Sequence, residues 1–244
     1  LYWIPNYTDI DTYQVDQREW VSRFCYDLKK QYSGPTLWID IGANVGDITD
    51  QIKKHISSDD EIWAFDPAPT TYQYLCDRFK NNTNIVIWDQ ALSDYVGESD
   101  FFVHKKTDNA GTNFLDKSIF GFDNVNYNTV RCSVTTMDQL SIPEKFQIPF
   151  VKIDAEGHDL KIIRAGSDFI KKHRPYIMFE FSGMLTTDAY SIRPIDVYNF
   201  FKEHNYHLRS IVKGHNEKYI YSHYNIETTE IFDLLAVPNE KPLE

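Results

Sequence analysis

The sequence predicts an α/β fold, a doubly wound and mostly parallel sheet with an antiparallel edge strand, and three observations predict it. Short apolar runs alternate with segments whose apolar residues recur every three or four positions, the strand–helix rhythm of a parallel sheet. Acids and glycines close several of those runs, at Asp40, Gly42, Asp66, Asp154 and Glu180, where sheets of this kind bind their ligands. The 244 residues, 42% hydrophobic and 15% aromatic, hold enough apolar material for one sizeable core.

Taken in order, Trp20, Phe24 and Leu28 recur every four residues, with Val21 and Cys25 widening the stripe, so an opening helix is expected. Asp11 or Thr12 would cap it, and its simplest role is a lid over the sheet edge. Residues 1–34 thus form a helical extension, stopped by Gly34-Pro35, and 35–240 the main domain. Residues 36–42 read as a first strand, followed by a helix carrying Ile48, Ile52 and Ile56. Residues 61–66 are a second strand, with a helix through Thr70, Leu75, Cys76 and Phe79, and 84–92 a third. The rhythm then breaks: "SDFFVH" and "TVRCSVTTM" alternate as strands around an Asn- and Gly-rich segment, an inserted β/loop region at about 94–149. It resumes with a strand at 150–156 and its helix, a strand at 175–181, and a helix introduced by Pro194. "YHLRSIV" and "IFDLLAVP" supply two final strands, antiparallel at one edge.

Charge narrows the partners. With 25 Lys and Arg against 36 Asp and Glu, a formal charge of −11 repels phosphate backbones and anionic lipid, so nucleic acid is not an expected partner. Cys25, Cys76 and Cys132 form neither a zinc motif nor a disulfide framework, which suits a reducing, cytoplasmic setting. No apolar run approaches the roughly 20 residues of a membrane span, and the first residues lack the order of a signal peptide.

The stretch "WIDIGANVGDIT" sets an acid, Asp40, before Gly42, Ala43, Asn44 and Gly46. A dinucleotide site would want glycine where Asn44 stands, so that the backbone can approach a pyrophosphate. An acid at Asp40 would repel that pyrophosphate but suits a ligand with an ammonium group and no phosphate, and S-adenosylmethionine is such a ligand. Asp66, at the second strand's end, can accept hydrogen bonds from both ribose hydroxyls. At the third strand's end, Gln90 or Asp89 could bond the adenine amino edge, with Ala91 offering a backbone group. The bland alternatives are a βα turn that happens to hold glycine and an Asp66 that merely caps the next helix.

These residues, together with "EIWAFDPAP", "QALSD", "GTNFL" and above all "VKIDAEGHDLKIIRAG" with its downstream "RPYIMFEF", resemble the FkbM-type S-adenosylmethionine-dependent methyltransferases from about Leu37 to Phe181. The glycine motif is generic to class I methyltransferases, whereas the "KIDAEG" block is far more specific. The resemblance implies a class I methyltransferase sheet, Rossmann-like in its winding, and O-methylation of hydroxyls, often on sugars or polyketide-type products. Two positions depart from the family's pattern: Asp66 stands where Glu is usual, and His158 where a small or apolar residue is usual.

Methyl transfer from a sulfonium is an in-line displacement that needs alignment and an acceptor freed of its proton. Asp154, Glu156 and His158 lie where an acceptor would enter and can serve as base, with Glu180 holding a hydroxyl or orienting His158, and Asn113 adding a polar contact. Against this, Asp154 and Glu156 could simply cap the following helix. A hard cation held by these acids with Glu180 ranks lower because no third acid nearby completes a ligand set, and no metal is expected. Phe101, Phe102, Phe114, Phe120 and Phe122 could stack on a sugar or other ring. His104, His204, His207, His215 and His223 form no metal spacing and read as surface or packing residues, and "KKHR" at 171–174 as a solvated helix end. The expected function is therefore an S-adenosylmethionine-dependent O-methyltransferase acting on a hydroxyl of a saccharide or related small molecule. Its rivals are an NAD-dependent oxidoreductase on a similar sheet and a non-catalytic nucleoside-binding module.

Overall fold

The computed structural model describes residues 16–105, 113–115, 126–182, 192–213, 219–223 and 231–241. The first half alternates as expected: α1 (Gln17–Lys29), β1 (Leu37–Ile41), α2 (Asp47–Lys53), β2 (Glu61–Phe65), α3 (Pro69–Phe79) and β3 (Ile85–Trp88). Then come β4 (Gln90–Leu92), β5 (Gly97–His104), β6 (Tyr127–Thr135), a 3-10 turn at Met137–Gln139 and β7 (Phe150–Ile153). The chain closes with α4 (Asp159–Arg164), α5 (Ser167–His173), β8 (Tyr176–Ser182), α6 (Pro194–Glu203), β9 (Tyr206–Lys213), β10 (Tyr219–His223) and β11 (Ile231–Pro238).

Eight strands form the main sheet in the order β10-β9-β11-β8-β7-β1-β2-β3. Pairings from β3 to β8 are parallel, while β11 runs antiparallel to both β8 and β9, and β10 to β9. The expected doubly wound sheet and antiparallel edge are present, with β10 as an additional edge strand that the sequence reading did not separate. The chain steps outward from β1 to β3 and returns at β7, so the winding reverses between β1 and β7. Such a switch point opens a crevice at the strands' carboxyl ends.

Register explains what covers each face. Phe150 pairs with Tyr176, and the Trp38 ring lies 6.4 Å from that of Phe150, so three aromatics form a row across the central strands. Trp20 and Phe24 of α1 stack at 4.7 Å, and Phe24 meets Tyr176 edge-on at 5.4 Å. The opening helix therefore packs on the centre of the sheet rather than over its edge, because that is where the apolar row lies. Its cap is Asp16, whose side chain accepts from Arg18 N at 3.0 Å, while Asp11 and Thr12 lie outside the described residues. On the other face, Ile39, Val151, Ile177 and Phe179 pack with Ile162, Phe169 and Phe201 of α4, α5 and α6.

One expected strand is two. Asp66 N donates to Trp88 O, keeping β3 on the main sheet, but Gln90 onward pairs in parallel with Ser133 onward of β6. Strands β4, β6 and β5 thus build a separate three-stranded sheet, and the corner at Asp89 carries the inserted region to the crevice. The cationic end of α5 is solvated at Lys171 and Lys172, as expected, but not at Arg174. Arg174, in the left-handed conformation, donates to the carbonyls of His204 and Asn205 and pairs with Glu240 at 2.6 Å. His104 lies edge-on to Tyr127, His204 bonds Ser167, and His207 bonds Asn239. His215 and the His223 side chain lie outside the described residues. Among the described residues no helix is long and apolar enough to cross a membrane.

Candidate active site at the strand tips

Period two carries the site upward from the core. Two residues beyond Trp38 comes Asp40, two beyond Phe150 comes Lys152 and then Asp154, and two beyond Met178 comes Glu180. Asp40 pairs in register with Lys152, and Glu180 with Asp233. The face that is aromatic at mid-sheet therefore turns ionic toward the carboxyl ends. There a cavity of about 520 Å³ opens, within the roughly 300–1,000 Å³ of small-ligand sites.

One wall follows the first two strands. Gly42 (φ 75°) is required where β1 ends, since a Cβ there would lie 1.8 Å from Asp154 O. Its N–H and that of Ala43 donate to Phe65 O, and Asn44 N (φ 49°) donates to Asp66 Oδ2 at 3.0 Å. Asp66 Oδ1 accepts from Ala68 N at 3.0 Å, so two backbone donors fix the carboxylate against the cavity. Burial outweighs those donors and pushes Asp66 up to about 6. The α3 cap is Ala68, so Asp66 is not a helix cap. Asn44 also lines the cavity, and its Oδ1 is buried with no hydrogen-bond partner.

The opposite wall is β7 and the turn after it. Lys152, 4% exposed, meets Asp154 Oδ2 at 3.0 Å. Burial opposes its charge, yet Asp154 and Asp40 outweigh that and hold Lys152 above the usual lysine range. Glu156 (φ 52°) and Gly157 (φ 85°) turn the chain into α4, whose cap is His158. Neither Asp154 nor Glu156 is the cap of that helix. Asp159, 1% exposed, accepts from Ala155 N at 3.3 Å, and its Oδ1 has no hydrogen-bond partner.

Most expected residues converge here: Gly42, Ala43, Asn44, Asp66, Gln90, Ala91, Asn113, Asp154, Glu156 and His158 all line the cavity. Corrections follow for the rest. Asp40 is wholly buried behind the wall, its Oδ2 taken by Thr49 at 2.6 Å, because it stands within β1 rather than at its tip. Gly46 (φ 83°) serves packing: a Cβ there would lie 2.6 Å from Phe79 and 2.7 Å from Leu75. Glu180 lies outside the wall, and burial followed by Asp154 and Asp233 pushes it to about 7. Burial and then Asp154, Glu180 and Asp159 push Glu156 to about 9, which favours its neutral, hydrogen-bond-donating form over a base. His158 Nε2 is engaged by Ser93 Oγ at 2.7 Å, which orients the ring in the role given to Glu180.

Asp89 is exposed and off the wall, and Asn113 turns its Oδ1 to His104 N. Phe101 reaches the cavity, whereas Phe102 and Phe114 pack on each other at 5.5 Å, and Phe120 and Phe122 lie outside the described residues. Sequence reading missed Lys152, Asp159 and Asp233, and also the start of α1. Gln17 and Arg18 line the cavity, and Gln17 Nε2 donates to Asp233 Oδ1 at 2.8 Å. Among the described residues no three His, Cys, Asp or Glu side chains form a metal-holding group.

A cavity with carboxylates on two walls, apolar Phe65 and Leu92 in its lining and an unpaired Asn44 oxygen fits a nucleoside carrying a cation. Comparison with known proteins bears on this geometry. The family profile described as the methyltransferase FkbM domain matches residues 40–208. Among solved structures the chain is similar to methyltransferase FkbM from Methylobacillus flagellatus KT, with 14% identity and a TM-score of 0.49 over 83% of this chain and 43% of that one. It is similar to precorrin-6y C5,15-methyltransferase from Geobacter metallireducens GS-15, with 14% identity and a TM-score of 0.43 over 97% of this chain and 100% of that one. It is also similar to M. jannaschii TYW2 in complex with AdoMet, with 13% identity and a TM-score of 0.43 over 92% and 76% of the two chains. The chain spans less than half of the first of these, and no curated protein matches it.

Proposed function

Because this chain belongs to the FkbM methyltransferase family, we propose that it is an S-adenosylmethionine-dependent methyltransferase and that it methylates a hydroxyl of a saccharide or related small molecule. The observation that carries the reading is that Asp66 and the Asp154–Lys152 pair face one cavity from opposite walls. S-adenosylmethionine, when bound, supplies an electrophilic methyl group on a sulfonium. Asp66, preset by Asn44 N and Ala68 N, accepts the ribose hydroxyls, and the Asn44 Oδ1 takes a further donor. Gln90 and Ala91, at the corner into the inserted sheet, bound the base.

On the other wall Asp154 takes the proton of the acceptor hydroxyl as the new bond forms. Lys152 is the positioning residue, holding Asp154 Oδ2 and leaving Oδ1 outside that ion pair. Glu156, protonated, donates a hydrogen bond to a second acceptor oxygen, and His158, fixed by Ser93, bounds the acceptor end. A cavity lined by Asp16, Asp47, Asp66 and Asp154 against Arg18 and Lys152 disfavours an anionic acceptor, which supports a neutral hydroxyl compound over nucleic acid. The test is a screen of sugars, nucleotide sugars and polyketide-like alcohols with methyl-labelled cofactor. Label transferred to a hydroxyl supports the reading; label found only on nitrogen, carbon or RNA overturns it.

A further inference from the structure

We propose that a groove beside the cavity is a subsite for a second sugar unit of the acceptor, an inference that rests on the saccharide reading above. The groove, of about 420 Å³, is lined by Ser93, Asp94, Tyr95, Glu98, Asp100, Arg131 and Lys161 among others, and it adjoins the cavity through His158 and Leu115, which line both. The partition between the two spaces is a built one. His158 is 4% exposed, Ser93 is fully buried, and their hydrogen bond of 2.7 Å holds the imidazole in place. Ser93 Oγ also donates to Asp94 Oδ1 at 3.0 Å, so the partition is tied to the groove's own wall.

The lining chemistry selects the ligand. Arg131 Nη1 meets Asp100 at 3.0 Å and Arg131 Nη2 meets Glu98 at 3.3 Å, an ion-paired array whose side chains are all more than half exposed. Such an array offers donors and acceptors to vicinal hydroxyls, and with Asp94, Glu98 and Asp100 against Arg131 and Lys161 it has no excess of cations to hold an anion. Tyr95, 41% exposed, offers a ring for the C–H face of a sugar. A purely apolar ligand would leave these polar groups desolvated and unpaired. The acceptor is therefore neutral and hydroxyl-rich, with one ring at Asp154 and Glu156 and the next beyond His158.

The experiment compares a panel of hexose and deoxyhexose methyl glycosides with the corresponding disaccharides, in wild type, Tyr95→Ala and Asp94→Ala. Turnover is followed with labelled cofactor, and disaccharide binding by calorimetry in the presence of S-adenosylhomocysteine. The expected result is a kcat/KM about tenfold higher for a disaccharide, with that advantage lost in Tyr95→Ala while the monosaccharide rate is unchanged. Equal rates for both lengths, or equal losses on both in Tyr95→Ala, overturn the subsite. If disaccharides bind and Tyr95→Ala abolishes that binding but no sugar is methylated, the groove stands and the methylation reading falls. If no sugar binds, the groove proposal falls, whatever the turnover screen finds with other acceptors.

Discussion

Two buried acidic centres stand at opposite ends of the same parallel strands, and they are built in opposite ways. At the amino ends, Asp60 is fully buried and accepts from Thr36 N, Thr36 Oγ1, Lys29 Nζ, Ser57 N and Ser57 Oγ, all within 2.6–2.8 Å. Burial alone would raise it, but these donors prevail and set Asp60 at about 2. At the carboxyl ends, Glu156, Asp159, Glu180 and Asp233 crowd around Asp154, and all four are pushed up, by burial first and then by Asp154. Lys152 is the buried cation that faces them. One centre is saturated with donors and ties α1, β1 and β2 together; the other is short of donors, with Asp159 Oδ1 and Asn44 Oδ1 left over. A ligand can supply what the second centre lacks, and local rules broken in this way mark functional sites.

Substitutions should separate the two centres. The largest expected effect is Asp154→Asn, which removes the base and lowers kcat per folded molecule about 10²–10⁴-fold, while S-adenosylhomocysteine affinity stays within a few-fold by calorimetry; because it also strips buried Lys152 of its ion-pair partner, urea unfolding sets the folded fraction first. Next, Asp60→Asn leaves the Lys29 charge without its partner and lowers stability by about 3 kcal/mol, read by urea unfolding, with kcat per folded molecule unchanged. Asp66→Asn keeps the size but turns its amide nitrogen on one of the two backbone donors, Asn44 N or Ala68 N, and loses the charge-assisted bonds to ribose, weakening S-adenosylhomocysteine binding about tenfold.

The last effect is one of sign. Burial and the neighbouring acids push Glu156 to about 9, against 4.5 for the ordinary group. Its contribution to stability is thus complete below 4.5 and is lost as pH rises toward 9. Asp60 behaves inversely: its contribution is present above 3.8 and is lost as pH falls through about 2. Melting temperatures should therefore decline from pH 6 to 9, and Glu156→Gln should flatten that decline without touching the acid limb. A variant whose decline matches wild type would assign the alkaline loss to other groups.

The amount legible in the sequence follows from which signals are local. Alternation at 36–42 and 61–66 and the four-residue stripe at Trp20, Phe24 and Leu28 gave the layers, because periodicity needs no knowledge of neighbours. Asp66 and Asp154 were found because strand tips are where ligands bind. Residues 84–92 read as one strand because nothing in that apolar run announces that Gln90 pairs with Ser133 on a different sheet. Lys152 had a signal that could have been used: a cation inside "FVKID", a strand buried on both sides, requires a carboxylate partner. The loads on Glu156 and Glu180 had none, since they arise from acids on β7, α4 and β11 that meet only in three dimensions. Gly46 and Asp40 sat in the right motif but served packing and the layer behind the wall.

The most direct test is a calorimetric titration of S-adenosylhomocysteine into wild type, Asp66→Asn and Asp60→Asn, run below the unfolding temperature of each. Saturable 1:1 binding to wild type, about tenfold weaker in Asp66→Asn and unchanged in Asp60→Asn, is the predicted result. Equal affinity in the wild type and the Asp66 variant, or no binding at all, would contradict a cofactor seated between Asp66 and Asp154.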